Sequence, residues 1–216
     1  MVNVKTFIVC SISVGLALSI VGCSSGDPYT IEGPRHFVSG YPARHSDGNI
    51  NVVIEIPAGT CDKWEVAKDT GHLEWEFRDG QPRIVKYLGY PGNYGMVPQT
   101  LLPRELGGDG DPLDVLILGP TVPRGSVVKA RIIGVLELLD GGEQDDKLLA
   151  VLIDSPLDEI ESLEQLDERF PGVSDIVRTW FSNYKGPGQL ESKGFGSVAR
   201  AEDILLKAIE AYTTRN

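Results

Sequence analysis

A chain of 216 residues with 31 Asp and Glu against 20 Lys and Arg has a formal net charge of −11. Such a surface repels polyanions and excludes nucleic acid as a partner, unless cations or a local basic cluster invert its sign. Its 41% hydrophobic content suffices for the core of one folded domain.

The chain opens with one base, Lys5, and then an apolar run from Phe7 to Val21 without acid or base. This reads as an export signal and is set apart from the fold, being shorter than the roughly 20 residues of a membrane-spanning helix. Its end, Ile20-Val21-Gly22-Cys23 followed by Ser24-Ser25, resembles a bacterial lipobox. That implies cleavage after Gly22, a lipidated Cys23, and an extracytoplasmic protein anchored to a bacterial membrane, periplasmic or at the cell surface. Ser24, in place of aspartate, favours an outer-membrane destination in a cell that has an outer membrane. Cys10 leaves with the signal and Cys23 carries lipid, so Cys61 has no partner for an intrachain disulfide. Without residues 1–22 there remain 19 bases and 31 acids, a net charge of −12.

Residues 23–49 are rich in Gly, Pro and Ser with weak periodicity, which suits a tether and an N-terminal edge segment. The domain is expected over residues 50–216. Asn51 to Ile56 is β-branched, apolar but for Glu55, and stops at Pro57, as a buried strand does. Further strands are expected at Lys63 to Val66, His72 to Phe77, Ile84 to Tyr87, Val115 to Leu118, Val127 to Gly134 and Leu148 to Ile153, separated by Gly, Pro and Asp. The acidic stretch Pro156 to Phe170 has room for a helical turn or two. Then the period changes: Val173, Ile176, Val177, Trp180, Phe181 and Tyr184 form one helical stripe, and Ala201, Ile204, Leu205, Ala208, Ile209 and Tyr212 repeat it. Strands followed by two principal helices predict an α+β domain, a small β-barrel with helices packed outside. His36, His45 and His72 sit in turn-like surroundings and read as surface residues.

Chemistry concentrates in two loops. Gly108-Asp109-Gly110-Asp111-Pro112-Leu113-Asp114-Val115 places three carboxylates within six residues around a glycine and a proline. An all-oxygen set without nearby His or Cys suits Mg²⁺, Mn²⁺ or Ca²⁺ and argues against zinc or copper. An EF-hand is rejected, because Leu113 and Asp114 stand at the fifth and sixth positions and Pro120 at the twelfth. The second loop is Asp140-Gly141-Gly142-Glu143-Gln144-Asp145-Asp146-Lys147, whose Gly-Gly turn lets Asp140 and Asp145 point to one side beside Lys147. Either loop alone is also compatible with a solvated acidic turn. Glu55 in its apolar strand needs a cation or base to offset burial. Lys63 and Glu65 flank Trp64 and share a face by the strand period of two. Tyr90 and Tyr94 bracket a Pro-Gly turn near Arg83, and Tyr184-Lys185 closes the first long helix. Metal-binding carboxylates beside phosphate-binding Arg, Lys and Tyr are the equipment of metal-assisted phosphoryl transfer to water.

Val53-Ile54-Glu55-Ile56-Pro57, Lys63-Trp64-Glu65, Tyr90 to Gly95, Asp109 to Val115, Asp140 to Lys147 and Tyr184-Lys185 occur in the order and approximate spacing of the family I soluble inorganic pyrophosphatases. The resemblance spans Ile50 to Lys193, and Asp-Gly-Asp-Pro-Leu-Asp-Val is that family's signature. It implies a five-stranded OB-like barrel with two principal helices, and Mg²⁺-dependent hydrolysis of pyrophosphate, with Mn²⁺ a possible substitute. It further implies metal binding by Asp109, Asp114, Asp140 and Asp145, with Glu55 in support, and Asp111 beside the attacking water as base or orienter. Lys63, Arg83, Tyr94, Lys147, Tyr184 and Lys185 would grip the phosphates, with Glu65 and Tyr90 supporting them and Lys193 an additional contact. Arg78 competes with Arg83 for its role, and Trp64 stands where the family commonly has tyrosine. The resemblance also allows a homo-oligomer. The reading from another class is a lipoprotein that holds a phosphate-rich ligand or glycan on the barrel without hydrolysing it; a third is hydrolysis of nucleotides or short polyphosphates.

Overall fold

In the computed structural model, which describes residues 27–102, 108 and 110–215, the chain forms a closed five-stranded barrel with helices outside. The export signal, the lipobox with Cys23, and Asp109 lie outside the described residues. In chain order the elements are β1 (Thr30–Ile31), β2 (Ile50–Ile56), β3 (Trp64–Val66), β4 (Leu73–Trp75), β5 (Phe77–Arg78), β6 (Gln81–Pro82), β7 (Asn93–Met96) and β8 (Asp114–Leu118). There follow β9 (Val127–Asp140), β10 (Glu143–Gln144), β11 (Lys147–Leu152), α1 (Leu163–Arg169), α2 (Val173–Asn183), β12 (Leu190–Gly196) and α3 (Val198–Arg215).

The barrel runs β9, β11, β8, β7, β2 and back to β9. Only β11 and β8 are parallel, in register from Leu148 opposite Val115 to Val151 opposite Leu118; the other four pairings are antiparallel. The ring closes where Ile50 to Val53 of β2 meet Ala130 to Val127 of β9. Closure is tightest at Gly95, where a Cβ would stand 1.8 Å from the carbonyl oxygen of Val53, so a side chain at that position would force β7 away from β2.

Alternation decides what each face of the strands covers. Val115 and Ile117 of β8, with Leu148 and Ala150 of β11, share one cluster with Ala201, Ile204, Leu205 and Ala208 of α3. Leu116, Leu118, Leu149 and Val151 point the other way, into a cluster with Leu163 and Leu166 of α1 and Val177, Trp180 and Phe181 of α2. The expected helical stripes thus do become α2 and α3, although Ile176 is turned outward and exposed. A third cluster joins Val53 and Met96 to Trp64, Val66 and Leu73 of the small sheet β1-β4-β3.

Several elements differ from the expectation. Folded structure is present ahead of Ile50: β1 pairs with β4 as an edge strand, as the expected edge segment does, and Phe37 and Ala43 are buried, so part of residues 27–49 packs on the domain. The strand expected at Ile84 to Tyr87 is a single bridge between Ile84 and Asp62, and Ile84, Tyr87 and Leu88 face solvent. The strand expected to end at Gly134 continues to Asp140. Gly134 is a packing notch, since a Cβ there would meet Leu163 of α1 at 2.4 Å. Beyond it, pairing with β11 and β12 keeps β9 extended.

Candidate active site

Strand ends at one end of the barrel bring the candidate residues around a single cavity of about 250 Å³. Glu55 comes from β2, Lys63 and Glu65 from β3 and its approach, and Tyr94 from β7. Asp111 and Asp114 come from the acidic loop and the first residue of β8. Asp140 ends β9, Lys147 starts β11 just after Asp145, and Tyr184-Lys185 follow α2. Arg83 completes the lining. Of the candidates with described positions, Tyr90 and Lys193 do not line this cavity; Lys193 pairs with Glu191 at the surface instead. Arg78 lines a neighbouring cavity, which Arg83, Asp140, Tyr184 and Lys185 also border.

Lys147 is the most buried cation of the site, 3% exposed, with Nζ 2.5 Å from Asp114 Oδ2 and 2.6 Å from Asp145 Oδ1. Burial works against its charge, but the two carboxylates more than offset this and hold its pKa above the ordinary lysine value. The carboxylates divide. Burial alone would raise both; Lys147, Lys63 and a hydrogen bond from Tyr94 bring Asp114 below the usual range, while Asp145, next to the charge of Asp114, stays above it. Asp145 and Lys147 flank Asp146, which points into the protein and accepts the Leu138 N–H at 3.0 Å and the Gln144 amide at 2.6 Å. That anchoring turns Asp145 and Lys147 to the cavity together.

Glu55 is 4% exposed and accepts the Val66 N–H at 2.9 Å. Its carboxyl is pushed up to about 8, first by burial and then by the charges of Asp114 and Glu65, with Lys63 opposing. Lys63 Nζ lies 2.6 Å from Glu65 Oε1 and 5.6 Å from the centre of the Tyr94 ring. Burial opposes its charge too, and Glu65, Glu55 and Asp114 outweigh it, so Lys63 is held protonated. Arg83 is aligned by both oxygens of Glu76, at 2.8 and 2.5 Å. Lys185 pairs with Asp140, and Lys68 with Asp111.

The phenols are set by packing. Tyr184 stacks on Trp180 with centroids 4.6 Å apart, and Tyr90 lies 4.3 Å from Trp180 and 5.1 Å from Tyr94. Burial, with nearby acids and phenols, keeps all three tyrosine pKa values above the usual range, so each stays a neutral hydroxyl able to donate. Tyr90 itself is buried within this aromatic group, a support for Tyr94 and Tyr184.

The inorganic pyrophosphatase family matches residues 52–213. The inorganic pyrophosphatase of Helicobacter pylori is 37% identical over 174 residues, which cover 78% of this chain and 94% of that protein. This chain belongs to the inorganic pyrophosphatase family. The mitochondrial inorganic pyrophosphatase of Saccharomyces cerevisiae is 36% identical over 157 residues, or 64% of this chain; the match spans about half, 51%, of that longer relative. The structure of the Schistosoma japonicum inorganic pyrophosphatase superposes with a TM-score of 0.77 at 27% identity, covering 82% of this chain and 70% of that one.

For a member of this family the donor set has to suit Mg²⁺, and it does. Asp111, Asp114, Asp140 and Asp145 offer oxygen alone. Among the described residues no three His, Cys, Asp or Glu side chains are grouped so as to hold an ion by themselves. An open wall of carboxylates fits an ion that binds through one or two of them and completes its shell with water and substrate phosphate. None of His36, His45 and His72 lines the cavity. Cys61 is a free thiol near the Tyr87 carbonyl, away from the site. The residue that sequence reasoning missed is Lys68. It lies in a turn, outside the alternation that marks Lys63 and Glu65, and only the fold carries it to the cavity.

Proposed function

We infer that this chain hydrolyses inorganic pyrophosphate to two phosphates, with Mg²⁺ as cofactor. The observation that carries the reading is the arrangement of the cavity: Asp111, Asp114, Asp140 and Asp145 border the same 250 Å³ as Lys63, Arg83, Lys147 and Lys185. Four carboxylates suit cations, and four bases with two phenols suit the oxygens of a compact, highly charged phosphate. Bound to Asp109, Asp114, Asp140 and Asp145, Mg²⁺ would neutralise substrate charge and acidify a water molecule. Asp111, at the cavity mouth, receives or orients that water's proton as its oxygen attacks phosphorus. As the bridging P–O bond breaks, charge gathers on the departing phosphate, where Lys63, Arg83, Lys147, Lys185 and the neutral hydroxyls of Tyr94 and Tyr184 donate to it. Glu55 and Glu65 hold β3 and Lys63 in place.

Location is a separate proposal. The apolar run and the Ile20 to Cys23 lipobox support an exported protein tethered through lipid on Cys23. Cys23→Ser should move it from the membrane fraction to the soluble one, and retention would point to an uncleaved helix. Among the described residues no helix is long and apolar enough to cross a membrane.

The test of activity is phosphate release by the purified protein from pyrophosphate, ATP and tripolyphosphate, with and without millimolar Mg²⁺. Fast Mg²⁺-dependent release from pyrophosphate alone is expected. No release from any of the three by a folded sample would move the assignment to a phosphate-ligand-binding protein.

A further inference from the structure

We propose that Lys68 is a positioning residue for Asp111, fixing the carboxylate that receives the water's proton. The inference rests on the role given to Asp111 above. Lys68 occupies the turn between β3 and β4, which is closed by Gly71 N–H to Ala67 at 2.8 Å and Ala67 N–H to His72 at 2.9 Å. From this turn its side chain crosses the mouth of the cavity. Nζ donates to the Gly110 carbonyl at 3.2 Å and pairs with the Asp111 carboxylate.

The backbone at this point is already determined. Gly110 takes the left-handed conformation at φ 84°, its N–H bonds to Leu102 at 2.8 Å, and the Leu102 N–H returns to the Asp111 carbonyl at 2.8 Å. The Asp111 side chain is 47% exposed, and Lys68 is one of the groups that hold it. An aspartate in solvent samples several rotamers, and a base displaced by about 1 Å from its proton loses most of its advantage. The other aspartates of the cavity are set by lysines assigned to the phosphates: Asp114 and Asp145 by Lys147, Asp140 by Lys185. Asp111 is set by a lysine with no such assignment. Because Lys68 continues from the strand that carries Glu65 and the Val66 N–H donor to Glu55, it ties the acidic loop to the phosphate-binding side of the cavity.

The experiment compares wild type, Lys68→Ala, Lys68→Arg, Asp111→Asn and the Lys68→Ala/Asp111→Asn double variant in steady-state hydrolysis of magnesium pyrophosphate. Lys68→Ala should lower kcat about 5–20-fold with KM within about twofold, and Lys68→Arg should recover most of the loss. In the Asp111→Asn background, Lys68→Ala should change the residual rate by less than about twofold, because the group it positions is gone. Lys68 is 55% exposed, so the melting temperature should hardly move and folding does not confuse the result. An unchanged kcat in Lys68→Ala beside an active wild type would overturn the inference. So would an equal loss in both backgrounds, or a raised KM at unchanged kcat, which would make Lys68 a phosphate contact. An inactive wild type would instead overturn the functional reading itself.

Discussion

Lys147 Nζ lies 2.5 Å from Asp114 Oδ2, although 33 residues separate the two in the chain. The contact follows from the one parallel pairing of the barrel. β8 and β11 begin side by side, with Val115 opposite Leu148, so their first residues, Asp114 and Lys147, emerge together at the same end. Asp145 shares the same ammonium at 2.6 Å, which makes Lys147 the charge that permits two half-buried acids to stand side by side.

Lys147→Met keeps much of the side-chain volume but leaves Asp114 and Asp145 without their counter-charge. Removing one partner from a buried ion pair costs about 3–5 kcal/mol, so unfolding in EDTA should show a melting temperature lower by about 10 °C. Millimolar Mg²⁺ should restore part of the loss by supplying positive charge to the same wall. A variant as stable as wild type in EDTA would show that the pair carries no such strain.

Glu55 makes the metal-free protein sensitive to alkali. Its folded pKa, about 8, stands above the ordinary 4.5, so the folded state binds this proton more tightly than the unfolded state does. The stabilisation is therefore complete below about pH 4.5 and is lost as pH rises through 8; in full it is on the order of 5 kcal/mol. Denaturant unfolding in EDTA at pH 5 and pH 8 should show Glu55→Gln gaining on wild type at the higher pH only. Equal differences at both values would contradict the burial argument.

Asp111→Asn should lower kcat by about 10²–10⁴, the usual worth of a general base, because it removes the proton acceptor and keeps the shape. The exposed pair with Lys68 contributes little to stability, so the melting temperature should stay within about 3 °C. Turnover near the wild-type value would exclude Asp111 from proton transfer.

Arg83 and Arg78 should separate cleanly in kinetics. Arg83 lines the site and is pre-aligned by both oxygens of Glu76, whereas Arg78 lies on the neighbouring cavity. Arg83→Ala should lower kcat/KM about 10–100-fold, as expected for a lost charge-assisted contact of 1.5–3 kcal/mol, and Arg78→Ala should remain within about twofold. The reverse order would transfer the substrate contact to Arg78.

Gly95→Ala tests the closure of the barrel. The added methyl carbon would lie 1.8 Å from the Val53 carbonyl oxygen, against backbone that has no room to retreat. Overpacking of this kind costs roughly 1–3 kcal/mol or more and here would pull Tyr94 away from Glu55 across the β2–β7 pairing. Both a lower melting temperature and a lower kcat are expected; a wild-type profile would mean that the strands yield there.

Much of the site was legible before any fold was known, because hydrolysis of a phosphate anhydride demands groups that stand out locally. Asp111, Asp114, Asp140 and Asp145 cluster in two glycine-bearing loops, Glu55 interrupts an apolar strand, and Lys63 and Glu65 share a face by simple alternation. The helical stripes at Val173 to Phe181 and Ala201 to Ala208 likewise announced α2 and α3, since a helix writes its buried face into its own spacing. The turn-like Asn93 to Met96 and the Gly- and Lys-bearing Leu190 to Gly196 carry no such signal; they are strands because β8, β2 and β9 supply their hydrogen-bond partners. Ile84 to Tyr87 has the composition of a strand but, among the described residues, pairs only through the one bridge from Ile84 to Asp62. Residue type and local period thus determined which chemistry the chain could perform and which faces it would bury. Long-range pairing alone decided that Lys147 meets Asp114, that Arg83 and not Arg78 lines the cavity, and that Lys68 reaches Asp111, because strand register and ion pairing between distant segments depend on the closed barrel and leave no trace in the local pattern.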